Sequence, residues 1–175
     1  MILLYEDESH IRDYQTLHAT WFEKGKQKHV PTYGHHTRVN LFATVDAFTG
    51  DFLCTQAEQC NAQSFQIFLE QILDRYPGQH IVMVLDNARI HHAHLIQPFL
   101  QRHEDHLTFL FLPPYSPNLN LVERMWKWLK GSVIANRFYQ NRAEICSAVD
   151  EFVRFIQDVP QQVLKRRSDI HMSIN

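Results

Sequence analysis

Short apolar runs alternate along this chain with stretches whose apolar residues recur at helical spacing. Residues 39–45 and 107–112 look like strands, although Asn40, Thr44 and Thr108 interrupt their apolar residues, and two further runs, 2–5 and 81–85, are continuously apolar. Such uninterrupted runs are typical of strands that are buried on both faces of a sheet. A turn-like segment at 46–50 precedes residues 52–56, which we predict to be a returning strand.

Four further segments carry a helical repeat of apolar residues. The first follows Asn61 and ends at Pro77–Gly78, and a short second helix covers 93–102. The third has one apolar face, formed by Val122, Met125, Trp126, Leu129 and Val133. The last runs over 142–157 and is limited by Pro160. We predict that the polar segment 10–37 forms loops and an exposed hairpin.

The order of these elements is strand, hairpin, helix, strand, helix, strand, helix, helix. This mixed order implies an α/β sheet with helices on its faces. A length of 175 residues suits one domain, and a hydrophobic content of 45% is enough for a substantial core. We therefore predict one domain at 1–160, followed by a polar tail at 161–175.

Charge and cysteine usage narrow the class of protein only slightly. The net charge of −2 does not by itself indicate a nucleic-acid-binding protein. The three cysteines form no C-x-x-C pair, which favours a reduced, cytoplasmic setting. No stretch approaches the ~20 apolar residues of a membrane helix, so we expect no membrane association.

Three carboxylates stand at positions that a fold of this class would bring together. Asp7 and Asp86 each follow an apolar run, and strand ends are where α/β sheets bind ligands. Glu123 lies at the edge of the apolar face of the third helix. Like charges at ~4 Å repel by about 4 kcal/mol at an effective dielectric near 20, so such a cluster needs a cation.

Each acid also has an ordinary structural interpretation when it is taken alone. Asp7 could be a strand-end acid, and Asp86 could form a turn with Asn87. Glu123 could pair with Lys127 one helical turn away. The argument for a metal site therefore rests on the three acids together.

Three motifs resemble those of DDE transposases in the bacterial insertion-sequence branch of the mariner-like superfamily. Asp7-Glu8-Ser9 resembles their D-E-[ST] element, and the segment from Asp86-Asn87 to His91 resembles D-N-x-x-x-H. The segment 112–130, LPPYSPNLNLVERMWKWLK, is similar to Y-S-P-x-L-N-P-I-E-x-x-W-x-x-L-K. Leu121 stands where proline is usual and Asn118 where glutamate is common, but neither replaces an acid. The resemblance covers residues 1–157.

The resemblance implies a ribonuclease-H-like fold with a mixed five-stranded sheet and helices on both faces. It implies that Asp7, Asp86 and Glu123 bind two Mg²⁺ (or Mn²⁺) ions and catalyse cleavage and joining of mobile-element ends. A ribonuclease H or structure-specific nuclease of the same fold is disfavoured by the Y-S-P-x-L-N element. An inactive transposase remnant that binds DNA or inhibits transposition is the alternative from another class.

Supporting roles follow for a few neighbouring residues. Asn120 is predicted to cap the helix of Glu123, and Asn87 and His91 to assist from just outside the metal site, although His91 could also be an ordinary structural histidine. Trp126 is predicted to be core. The twelve histidines show no H-x₃-H or cysteine pairing, so they do not indicate structural zinc.

The expected substrate is DNA, both the transposon ends and the target. Candidate phosphate contacts are basic residues on the third helix and in the N-terminal segment: Arg124, Lys127, Lys130, Lys24, Lys26 and Lys28. Because the first strand begins at the N-terminus, we expect no N-terminal helix-turn-helix domain in this chain, and a separate helix-turn-helix chain could recognise the ends. We also expect a homodimer in the active complex, and a bacterial cytoplasmic protein that joins the nucleoid when it binds DNA.

Overall fold

A computed structural model of the chain describes residues 1–12, 23–24, 37–113, 120–135, 137 and 139–168. These residues form five strands and five helices. The strands are β1 (Ile2–Arg12), β2 (Arg38–Asp46), β3 (Phe52–Ala57), β4 (Ile81–Leu85) and β5 (Leu107–Phe111). The helices are α1 (Ala62–Arg75), α2 (Gln97–Arg102), α3 (Val122–Leu129), α4 (Arg142–Asp158) and α5 (Pro160–Ser168), and a π-helical turn, Lys130–Ile134, continues α3.

The strands form one mixed sheet in the order β3-β2-β1-β4-β5. Strand β2 runs antiparallel to both of its neighbours, β1 and β3, whereas β4 and β5 run parallel to β1. This arrangement puts β1 in the centre of the sheet. The five-stranded mixed sheet predicted from the sequence is confirmed.

Helices cover both faces of the sheet and bury a separate core on each. On one face, which we call the α1 face, Leu4 of β1 packs with apolar residues of α1 and α2, among them Phe65 and Phe99. On the other, the α3 face, Tyr5 packs against a core to which α3, α4 and α5 contribute. Successive residues of β1 therefore point alternately to the two faces.

The first strand is longer than its apolar run. The sequence predicted that it ends near Tyr5, which is also the last residue of β1 paired with β4. Pairing with β2 continues as far as Arg12, opposite Arg38. Asp7 therefore lies within the central strand and not at its end, because backbone pairing to β2 carries the strand through its charged residues.

The predicted polar tail also needs correction. Residues 161–168 belong to α5, and Pro160 occupies the first position of that helix, where its missing N–H costs nothing. Val163 is buried in the core of the α3 face. A single buried apolar residue in a polar segment is too weak a periodic signal to predict a helix.

Other predicted elements agree with the structure apart from their bounds. Asn61 caps α1 by accepting a hydrogen bond from the Ser64 N–H at 2.9 Å. The helix expected at 93–102 begins only at Gln97, because turns occupy the preceding residues. Most of the loops and hairpin predicted at 10–37 lie outside the described residues. No helix in the described ranges is long and apolar enough to cross a membrane.

Candidate functional site

Asp7 lies in β1 and Asp86 directly follows the parallel strand β4, but in the described residues they form no group with Glu123 whose ligand atoms are all within 4.8 Å of one another. Tyr5 of β1 is in register with Val84 of β4, so two residues further along the chain Asp7 and Asp86 come to neighbouring positions. Asp7 follows Tyr5 by two residues and therefore points to the α3 face. Asp86 directly follows the last residue of β4 and is largely exposed.

The side chain of Trp126 anchors Asp7 from helix α3. Its indole Nε1–H donates a hydrogen bond of 2.9 Å to Oδ2 of Asp7. The ring is buried in the core, which confirms the predicted core position. The hydrogen bond could not be predicted from the sequence, since Trp126 lies on the apolar stripe and Asp7 is 119 positions away.

The side chain of Asn120 fixes the beginning of α3 against the same strand. Asn120 is only 4% exposed. Its Oδ1 accepts a hydrogen bond from the Val122 N–H at 3.1 Å, and its Nδ2 donates to the carbonyl of Glu6 at 2.7 Å. Leu121, and not Asn120, is the residue that precedes α3, so the predicted cap is wrong by one position, although Asn120 still binds the first N–H of the helix. The residue before Asp7 is therefore tied to the helix that carries Glu123.

The electrostatic environment of Asp7 links all three predicted acids. Burial raises the pKa of Asp7 to about 7, and the charges of Glu8, Glu123 and Asp86 act in the same direction. The indole of Trp126 opposes the rise by stabilising the charged form. Glu123 lies in the first turn of α3, where the helix dipole favours a negative charge. In the described part of the chain Glu123 and Lys127 form no ion pair.

Asp86 also shapes the loop that follows β4. Its Oδ1 accepts from the Ala88 N–H at 2.8 Å, which is the turn geometry expected of an aspartate at this place. The side chain of Asn87 donates to the carbonyl of Leu112 at 2.9 Å and so connects the ends of β4 and β5. Asp86 can therefore form the turn after β4 and still lie at a position that neighbours Asp7.

A second polar cluster lies on the α1 face, directly behind Asp7. Nε2 of His91 lies 3.3 Å from Oε2 of Glu6 and 3.1 Å from Oε1 of Glu8. Burial raises the pKa of Glu6 to about 8, although His91 opposes this. Burial alone would lower the pKa of His91, but the two glutamates outweigh it and raise the pKa to about 10. Neither glutamate was predicted as a site residue, and the one signal for them in the sequence is their spacing of two around Asp7.

The predicted DNA-contact residues have different surroundings. Lys127 is exposed and Lys130 half-buried, whereas Arg124 donates a hydrogen bond to the backbone carbonyl of Arg166 in α5. Lys24 is exposed, and Lys26 and Lys28 lie outside the described residues.

A positive cluster that the sequence analysis missed surrounds the far end of β1. Burial lowers the pKa of His10, and the positive charges of Arg38, Arg12 and Lys130 lower it further. Arg12 and Arg38 are paired in register on β1 and β2. The segment 10–37 was interpreted as loops, so the pairing of two arginines at its two ends could not be foreseen.

Comparison with known proteins identifies the family. The sequence model of the DDE superfamily endonucleases matches residues 2–146, and the chain belongs to this family. The chain is 26% identical over 159 residues to the uncharacterized 39 kDa protein of insertion element IS630 from Shigella sonnei, an alignment that covers 90% of this chain and 46% of that protein. The resemblance deduced from the three motifs is thereby confirmed.

Solved structures with the same fold include the catalytic domain of Mos1 mariner transposase. That domain matches with a TM-score of 0.57 at 18% identity, over 94% of this chain and 78% of the other. The Mos1 paired-end complex with Mn matches with a TM-score of 0.64 at 17% identity, over 94% of this chain and 53% of the other. The ribonuclease-H-like fold is confirmed. The chain spans about half the length of the IS630 protein and of the Mos1 chain in that complex.

Proposed function

We propose that this chain is the catalytic domain of a transposase, which cuts DNA strands at the ends of a mobile element and joins them to a target. One observation carries the proposal: the register of β1 and β4 brings Asp7 and Asp86 to neighbouring positions, and the hydrogen bond from Trp126 ties Asp7 to the helix that carries Glu123. Family membership supports the reaction class, since the family is one of endonucleases.

The donor set fits divalent metal ions. Carboxylate oxygens are the ligands that Mg²⁺ and Mn²⁺ prefer, and the raised pKa of Asp7 marks a site where a cation would relieve repulsion. We propose that Asp7, Asp86 and Glu123 hold two such ions. Bound ions of this kind would polarise the scissile phosphate and stabilise the charge on the attacking and leaving oxygens.

The neighbouring residues hold these carboxylates in position. Trp126 fixes one oxygen of Asp7 by its hydrogen bond, and Asn120 fixes the approach of α3 and hence of Glu123. Asn87 and His91 hold the loop of Asp86 through the carbonyls of Leu112 and of Asp86 itself. These four residues would therefore act indirectly, because each of them holds a carboxylate or the element that carries it.

DNA phosphates would contact the basic residues around this site. Lys127 and Lys130 follow Glu123 on α3 and its π-helical continuation, and Lys130 contributes to the positive cluster with His10 and Arg38. We include exposed Lys24 and, from the sequence alone, Lys26 and Lys28. Such contacts release counterions, so binding should weaken steeply as salt rises. Arg124 is the weakest candidate because its guanidinium already bonds to α5.

The partners proposed for the whole activity go beyond this domain. Because two element ends are joined, we propose a homodimer in the active complex. We also propose that a helix-turn-helix module, which a separate chain could supply, recognises the sequence of the ends. DNA as the substrate places the protein at the bacterial nucleoid during the reaction. These proposals rest on the reaction class.

A nicking assay on a supercoiled plasmid carrying the element's ends tests the proposed function. We expect strand cleavage that requires Mg²⁺ or Mn²⁺, is lost in Asp86→Ala and Glu123→Gln, and is kept in the exposed-acid control Asp74→Asn. Glu123→Gln should fold with equal or higher stability because one repelling carboxylate is gone. Absence of cleavage by the folded wild-type chain under all metal conditions would instead support an inactive remnant that binds DNA.

A further inference from the structure

The three side chains of Glu6, Glu8 and His91 meet on the α1 face of the sheet. Asp7 lies between the two glutamates in sequence and points to the opposite face, where it contacts Trp126. His91 packs against Phe65 of α1, with ring centroids 4.7 Å apart. The central strand therefore separates this cluster from Asp7, whereas Oδ1 of Asp86 lies 3.4 Å from Nδ1 of His91 and so borders the cluster.

Polar atoms of this cluster are buried without hydrogen-bond partners among the described residues. Glu6 is 0% exposed and His91 is 1% exposed. Both carboxylate oxygens of Glu6 and Nε2 of His91 have no hydrogen-bond partner. Buried polar groups normally have partners, and a metal ion at this place would supply one to Glu6 and to Nε2 of His91 together.

The imidazole is oriented as a metal-binding histidine would be. Its Nδ1 lies 3.0 Å from the backbone carbonyl of Asp86, and because a carbonyl only accepts, Nδ1 donates the proton. Metal-binding histidines almost always donate their second N–H in this way. Nε2 is thereby directed at the two glutamates.

The distances between the ligand atoms fit a shared ion. Nε2 lies 3.3 Å from Glu6 and 3.1 Å from Glu8, yet neither carboxylate is aligned to accept a hydrogen bond from it. Ligand atoms about 2.0–2.2 Å from a zinc ion are separated by roughly 3.0–3.5 Å. A proton on Nε2 lies along the N–H bond and can be directed at only one carboxylate oxygen. A metal ion can bind Nε2 and one oxygen of each glutamate at the same time.

We propose that Glu6, Glu8 and His91 bind a divalent transition-metal ion, such as Zn²⁺, on the α1 face. Two carboxylates and one imidazole suit first-row transition metals better than Mg²⁺, which prefers oxygen ligands alone. The ion would connect β1 to the loop that begins at Asp86, and so brace the base of the catalytic site without entering the reaction.

Metal binding can be measured with the proposed catalytic acids removed. The full chain carrying Asp7→Asn, Asp86→Asn and Glu123→Gln is freed of metal with a chelator, and Zn²⁺ is then titrated by calorimetry. We expect one ion per chain and a rise of several degrees in the unfolding midpoint. Co²⁺ in the same site should give visible absorption bands typical of a coordinated ion.

Further substitutions in this background locate the ion. Glu8→Gln and His91→Gln should each weaken Zn²⁺ binding by at least about tenfold, while the exposed controls Glu104→Gln and His94→Gln leave it unchanged. Glu8 is on the less buried side of the cluster, so Glu8→Gln keeps the test decisive if His91→Gln fails to fold. No Zn²⁺ binding by the folded triple variant, or binding that Glu8→Gln leaves intact, overturns the proposal. Neither result bears on plasmid nicking by the wild-type chain.

Discussion

Trp126 combines two roles at the scale of one residue, since its ring is core and its N–H holds Asp7. We predict that Trp126→Phe keeps most of the packing but lowers the nicking rate by about 10–100-fold, as loss of an outer-shell partner does at metal sites. Trp126→Ala should in addition lose about 3–5 kcal/mol of stability. Nicking rates and chemical unfolding of the two variants check this. Full activity in a folded Trp126→Phe protein would show that the hydrogen bond is dispensable.

The raised pKa of Asp7 predicts how stability depends on pH in metal-free protein. Burial and the neighbouring acids raise the pKa from the ordinary 3.8 to about 7, so the folded state takes up a proton between these values that the unfolded state does not. The contribution of Asp7 to stability should therefore fall as the pH rises from about 4 to about 7 and change no further above that.

Asp7→Asn removes this penalty and keeps an acceptor for Trp126. In EDTA at pH 8 the variant should unfold at least about 2–4 °C above wild type, which corresponds to about 1 kcal/mol for a domain of this size. The gain should shrink as the pH is lowered towards 4. Thermal unfolding at several pH values measures it, and a gain that grows towards acid pH would contradict the assigned environment of Asp7.

At the scale of elements, Asn120 connects helix α3 to strand β1. Asn120→Ala leaves the Glu6 carbonyl and the Val122 N–H without their partner, and each buried unpaired group costs about 1–3 kcal/mol. We predict a loss of about 2–4 kcal/mol and impaired nicking, because Glu123 loses its fixed approach. Asn61→Ala, which removes the cap of α1, should cost only about 1 kcal/mol and preserve nicking. Equal effects of both variants on nicking would argue against a positioning role for Asn120.

Local patterns predicted most of the elements but not all of their bounds. Apolar runs marked β4 and β5, and an asparagine cap marked the start of α1, whereas the cap predicted for α3 was one residue away from its place. The charged half of β1 was missed, since its strand conformation comes from pairing with β2, which is remote in sequence. Helix α5 was missed because only Val163 and a few neighbours anchor it.

At the scale of the whole molecule, residue spacing and motifs predicted the family and the mixed sheet. They did not predict which polar residues share a face, since that depends on the sheet. Asp7 and its neighbour Glu8 belong to one motif, yet Asp7 contacts Trp126 on the α3 face and Glu8 contacts His91 on the α1 face. His91 was expected to assist the catalytic site, and it does touch the Asp86 carbonyl, but its other nitrogen faces the glutamates.

The central claim is that Asp7, Asp86 and Glu123 form one metal-binding site on the α3 side of the central strands. Anomalous diffraction from crystals of the chain soaked in Mn²⁺ tests it most directly, because Mn²⁺ is located without assumption about its ligands. We predict anomalous density between these three carboxylates, and its loss in crystals of Asp86→Asn. Mn²⁺ bound only beside His91 on the α1 face, with none between the three acids, would contradict the claim.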